Sequence, residues 1–160
     1  MARLQKIMIG HGLLILLVAQ LAGFALVFVL IGGIEVWPGT ILSIPIYGTE
    51  AGWVRAHSGG TMNGILVVVI GLALPKIPLS DFMQKLTAWG FIYISWSFTG
   101  FYWFGNAAAN RSLSMGDNPL GESDIYGVLG YVPGLISIVL IFVLLAVGAK
   151  NVLAAAKEET

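Results

Sequence analysis

The chain has 160 residues, of which 58% are hydrophobic and only 10% charged, with a mean hydropathy of +0.90. Soluble domains carry about 25% charged residues, so this chain has too little polar surface to cover itself in water and reads as an integral membrane protein. A formal net charge of zero gives no electrostatic basis for a nucleic-acid partner, and the lack of cysteine excludes disulfides, iron–sulfur clusters and a thiolate-ligated haem.

One transmembrane domain is expected over 1–160. Four apolar stretches, at about 7–31, 57–74, 86–104 and 128–147, are each near the length that crosses a hydrocarbon core of roughly 30 Å at 1.5 Å per residue. Lipid leaves no partner for free backbone polar groups, so the spans are predicted to be helices and the fold an all-α four-helix bundle. Arg3 and Lys6 precede the first stretch as they would in a signal peptide. That stretch is about 25 residues long against roughly 7–15 for a signal h-region, so it is read as a retained helix. Gly32-Gly33, Pro38-Gly39 and Pro45 punctuate the first connection, Pro75 and Pro78 the second, and Asn118-Pro119 and Gly121 the third. Pro133 falls early in the fourth span, where a proline is tolerated. Arg3, Lys6, Lys76, Lys85, Lys150 and Lys157 fall on one side of this layout, and Arg55 and Arg111 on the other. The excess assigns the first side, with both termini, to the cytoplasm.

The first stretch carries His11, between Gly10 and Gly12. It falls near the cytoplasmic end and reads as a packing or interface residue. The second opens with GWVRAHSGGTMNG, from Gly52 to Gly64, in which His57, Gly60, Thr61 and Gly64 share one helical face. An imidazole among small residues leaves room for a planar macrocycle. The same pattern equally lets two helices pack closely in a membrane, with the histidine bonded to a neighbour. Arg55 can meet a haem propionate or snorkel to headgroups.

In the third stretch Ser95, Thr99, Tyr102 and Asn106 follow steps of four, three and four residues. This polar stripe should face the bundle or a cavity rather than lipid. Tyr102 and Asn106, one turn apart, can hold an oxygen-bearing ligand or hydrogen-bond between helices. Trp89, Tyr93, Trp96, Phe101 and Trp103 read as aromatic packing. Asn110-Arg111-Ser112 fits a short glycosylation pattern that often matches by chance.

The run from Gly52 to Gly64, with Gly10-His11-Gly12, Gly100-Phe101-Tyr102, Asn106 and Asn110-Arg111, resembles the styrene oxide isomerase family. The resemblance extends through Gly32-Gly33, Pro38-Gly39 and Asn118 to Ile125, nearly the whole chain. It implies a bacterial inner-membrane protein of four helices, assembled as a homotrimer with haem b near the subunit interfaces. It implies His57 as axial ligand of a ferric iron, with Asn63, Tyr102 and Asn106 around a small apolar epoxide; Arg55, Gly60 and Thr61, the neighbours of His57 on its helix, are the further residues expected around the cofactor. The implied reaction is a Meinwald rearrangement, such as styrene oxide to phenylacetaldehyde, on an epoxide supplied by a monooxygenase. Ile94 and Phe98 stand where the family pattern has an aspartate and an asparagine. A haem-binding membrane protein that senses haem or carries electrons is the alternative.

Overall fold

The computed structural model describes residues 2–158, most of them helical. Helix α1 spans Ala2–Ile31, α2 Glu50–Ala73, α3 Asp81–Ala107 and α4 Ile125–Glu158. Every helix outruns its predicted apolar stretch. The apolar run reports the hydrocarbon slab, whereas the helix continues into the interface until caps and loops stop it. The Thr49 hydroxyl accepts from the Gly52 N–H at 3.1 Å to start α2, and Ser80 opens α3 in the same way through Met83 N–H. A 3-10 turn over Leu74–Lys76, with Pro75 inside it, ends α2.

The all-α expectation needs one correction. β1 (Gly33–Trp37) and β2 (Thr40–Ser43) form an antiparallel hairpin between α1 and α2. Ile34 and Val36 against Ile41 and Leu42 supply strand-forming side chains, and Pro38-Gly39 makes a two-residue turn. Gly39 has φ +82°, and its N–H donates to the Glu35 carboxylate at 2.7 Å. Stretches this short are easily read as loop.

Three helices, α1, α2 with its terminal turn, and α4, are long and apolar enough to cross a membrane. The protein is therefore a membrane protein. α3 has the length, at 27 residues, but its apolar character is diluted by the polar stripe. That stripe faces inward: Ser95, Thr99 and Asn106 are buried and Tyr102 is partly buried. The apolar side chains of α1 and α4 face outward instead, with Leu13, Leu17, Leu21, Val139, Phe142 and Leu153 exposed. An apolar exterior over a more polar interior suits a hydrocarbon solvent.

The contacts run antiparallel at every seam. Met8 lies beside Gly71, Gly12 beside Gly64, Ala19 beside Gly60 and Gly23 beside His57. Asn63 meets Thr99, and Gly52 meets Asn106. Gly90 lies beside Leu144 and Gly134 beside Phe101. The chain thus goes up and down four times, and both ends of the described chain lie at the end that holds the 74–80 turn. The arrangement is more open than the expected bundle, because α4 packs chiefly on α3. The main core lies where α1, α2 and α3 meet, with Met8, Ile15, Val67, Phe91 and Ile94 fully or almost fully buried.

Candidate active site

The start of α2 is held from several sides. Thr49 donates its N–H to Asn106 Oδ1 at 2.9 Å, tying the helix to the end of α3. A β-carbon at Gly52 would overlap the Asn106 amide, so glycine there is what lets the two helices meet. Trp53 is 2% exposed and donates its indole N–H to the Tyr47 carbonyl at 2.9 Å. Its ring meets Trp103 edge-on at 5.1 Å. These contacts fix both the rotation and the depth of the turns that follow.

One turn on, His57 points to α1. Its Nδ1 lies 2.9 Å from the Ala19 carbonyl. A carbonyl only accepts, so Nδ1 carries the proton and Nε2 carries the free lone pair. Gly23 makes room for the ring, since a β-carbon there would stand 2.7 Å from Nδ1. Gly60 and Gly64, on the same face, approach α1 closely: their β-carbons would meet Ala19 Cβ at 3.0 Å and Leu16 Cγ at 2.7 Å. The small-residue face is thus occupied by a close helix crossing, and it delivers a tautomerically fixed histidine. The Thr61 hydroxyl donates to the His57 carbonyl at 2.8 Å, within its own helix.

The opposite flank of α2 faces α3. The Tyr102 ring lies directly on Gly59, where any β-carbon would overlap it. Asn63 is buried and donates its amide to the Thr99 hydroxyl at 3.2 Å, which donates in turn to the Ser95 carbonyl at 2.7 Å. His57 and Gly59 are two residues apart, so they point about 160° from each other around the helix. Within one chain, His57 therefore lies on one flank, and Tyr102 and Asn63 on the other.

Beyond Tyr102, α3, α4 and the loop between them flank a half-open cavity of about 220 Å³. Phe98, Phe101, Tyr131, Leu135 and Ile138 line it together with Tyr102 and Ser112, and the Ser112 hydroxyl is occupied in donating to the Tyr126 carbonyl at 3.2 Å. It is an apolar chamber with few polar groups, as small-molecule sites are. Phe98, one of the two positions that depart from the family pattern, forms part of its wall. The other, Ile94, is wholly buried in the main core.

A family model described as styrene oxide isomerase matches residues 4–153. A styrene-oxide isomerase of Pseudomonas fluorescens is 37% identical over 149 residues, covering 93% of this chain and 85% of that protein. The chain belongs to the styrene oxide isomerase family. It is an isomerase.

Within this family member the remaining sequence candidates sort as follows. Asn106 does not line the chamber; it braces Thr49. Arg55 lines a separate cleft together with Asn106 and Arg111. His11 accepts a hydrogen bond on Nδ1 from the Trp96 indole at 3.1 Å and meets Trp89 and Trp96 edge-on, which agrees with its reading as a packing residue. It lies about 12 Å along α1 from Ala19, eight residues at 1.5 Å each, so it does not reach His57. Asn110 is fully buried and bonded to Ser112, Ser114 and Gly116, so it is no glycan acceptor in this fold. Sequence reasoning passed over Gly23 and Gly59. Each is a glycine on a helix where no turn calls for one, and an interior glycine costs about 1 kcal/mol against alanine. That unexplained cost was the available signal.

Proposed function

We propose that this isomerase converts a small apolar aryl epoxide, such as styrene oxide, to the aldehyde, with haem b held by His57. The observation that carries the reading is the bond from Nδ1 to the Ala19 carbonyl. Histidines that ligate metals characteristically donate their other ring N–H to a carbonyl or carboxylate, which fixes the tautomer and raises ligand basicity. The donor set fits haem rather than a bare ion. Among the described residues no group of three His, Cys, Asp or Glu side chains is placed to hold a metal. A metal at His57 has to bring its other ligands with it, as a porphyrin does. When bound, ferric haem supplies a Lewis acid for an epoxide oxygen.

The chain's own residues account for the rest. Isomerisation breaks the benzylic C–O bond, moves a hydride from the neighbouring carbon to the benzylic carbon, and leaves that neighbour as the carbonyl. Atoms and electrons balance without reductant or water. Water would trap the electron-deficient carbon as a diol, and walls at Phe98, Phe101 and Tyr131 offer it no hydrogen-bonding surface beyond the Tyr131 hydroxyl. The Tyr102 hydroxyl donates to the oxygen as negative charge grows on it. Asn63 and Thr99 brace the α2–α3 seam beside it, and Ile94 and Phe98 make the surroundings more apolar than the family pattern does.

His57 and Tyr102 occupy opposite flanks of α2, so a homotrimer with haem near the subunit interfaces brings the Tyr102 flank of one copy to the His57 flank of the next. The largely exposed apolar surfaces of α1 and α4 leave area for such an interface within the bilayer. The up-and-down layout gathers Arg3, Lys6, Lys76, Lys85, Lys150 and Lys157 at one end, which supports four spans with both termini cytoplasmic in a bacterial inner membrane. The strained substrate calls for a monooxygenase acting on an alkene upstream.

The test is an absorbance spectrum of the purified protein with an epoxide assay lacking reductant. A Soret band that His57→Ala removes, together with aldehyde formation, is expected. Wild-type protein that carries no haem after supplementation sinks the proposal.

A further inference from the structure

A second cleft, of about 400 Å³, lies at the other end of the molecule from the 74–80 turn, where α2 begins and α3 ends. Arg55, from the second turn of α2, and Arg111, from the loop after α3, are both among its lining residues. Gly48, Thr49 and residues 105–109, Asn106 among them, complete most of its wall, and no Asp or Glu is among its lining residues. Like charges repel, so two arginines sharing one concavity without a carboxylate is an arrangement that an anion would stabilise.

The placement of Arg111 is enforced. Its φ is +57° and that of Ser112 is +54°, both in the left-handed region that disfavours residues with a β-carbon. Asn110 holds this backbone by donating to the Ser114 and Gly116 carbonyls, at 3.1 Å each, and accepting from the Ser112 N–H at 3.0 Å. Asn118 donates to the Asn110 carbonyl at 3.0 Å. A turn of this shape forms at lower cost with glycine. The chain nonetheless places an arginine at this strained position, among the residues that line the cleft.

We propose that this cleft binds an oxyanion: the phosphate of an anionic phospholipid headgroup at the membrane boundary, or free phosphate. Guanidinium forks match phosphate oxygens in pairs, and two of them from separate elements enclose a tetrahedral anion better than one. Arg55 and His57 are two residues apart and point to different flanks of α2, so the site is separate from the iron ligand of the same chain. The inference does not depend on the haem reading.

The test uses full-length protein in neutral detergent and follows thermal unfolding on titration with phosphatidylglycerol, with phosphatidylcholine, and with inorganic phosphate at constant ionic strength. Wild type should be stabilised by phosphatidylglycerol or by phosphate in preference to phosphatidylcholine. The first outcome identifies a lipid headgroup and the second free phosphate. Arg111→Gln should raise the half-saturating concentration about tenfold, in line with loss of a charge-assisted pair. Arg111→Gly should abolish the response while leaving the unliganded protein at least as stable, because glycine relieves the left-handed φ. Lys85→Gln, which removes one positive charge at the opposite end, should leave the response intact. An equal response in wild type and Arg111→Gly overturns the proposal, as does a loss in Lys85→Gln as large as that in Arg111→Gln. Loss of haem as the sole consequence of Arg111→Gln would assign the cleft to the cofactor's carboxylates and also overturn it.

Discussion

The two flanks of α2 are built by different means. Toward α1 the seam is made of glycine and alanine, and the helices approach until Gly12, Gly60, Gly64 and Gly71 leave almost no space. Among the described residues, the one side-chain hydrogen bond across it runs from His57 to a main-chain carbonyl. Toward α3 the seam uses side chains: Asn63 to Thr99, Thr49 to Asn106, and the Tyr102 ring on Gly59. A ligand to a metal benefits from backbone positioning, because the backbone of a packed helix cannot rotate away. A substrate-facing hydroxyl needs side-chain reach. In the proposed haem site, the contrast makes His57 the backbone-held part and Tyr102 the part held by side-chain packing.

The largest expected effect tests the backbone-held flank. His57→Ala should abolish cofactor retention and lower epoxide turnover by at least about 10³-fold, measured by the Soret band and by aldehyde release. Next comes the flank held by side-chain packing. Tyr102→Phe keeps the ring on Gly59 but removes the donor, so kcat should fall about 10²-fold with the spectrum and the melting temperature nearly unchanged. A spectrum that changes along with kcat would place Tyr102 in the cofactor pocket instead.

Gly23→Val pushes on the imidazole without altering the ligand. Haem affinity should fall about 10–100-fold, the usual cost of disturbing the partner that orients a ligating histidine, and a retained wild-type affinity would break the claim that the α1 backbone holds the ring. Asn106→Ala removes the acceptor for the Thr49 N–H and should cost about 1–2 kcal/mol of stability in unfolding experiments, with the chemical step little affected. The smallest effect belongs to Thr99→Val, which removes one interhelical hydrogen bond. Such bonds in membranes are worth about 0.6 kcal/mol on average. A much larger loss would show that the α2–α3 seam depends on polar contacts more than its packing indicates.

Much of the architecture was legible because lipid imposes strict rules. Apolar runs located the helices, prolines and glycines located the breaks, and Ser95, Thr99 and Asn106 at helical spacing announced an inward face that the structure bears out. The hairpin was missed because Ile34, Val36, Ile41 and Leu42 form runs too short to outweigh the flanking Gly32-Gly33 and Pro38-Gly39 as loop signals. The bracing role of Asn106 was not legible because its partner, Thr49, is 57 residues away in sequence. The open placement of α4 was equally invisible, since an apolar helix satisfied by lipid gives no sign of which neighbours it has.

The residue pattern by itself settled that this is a helical membrane protein with one histidine set among small residues. It did so because hydropathy, helical period and turn chemistry are local properties. Only the tertiary structure decided what that face does. The glycines beside His57 bring α1 against α2, and the contact with the Ala19 carbonyl leaves Nε2 as the basic nitrogen. That choice belongs to a backbone atom on another helix, and no local property of the second helix encodes it.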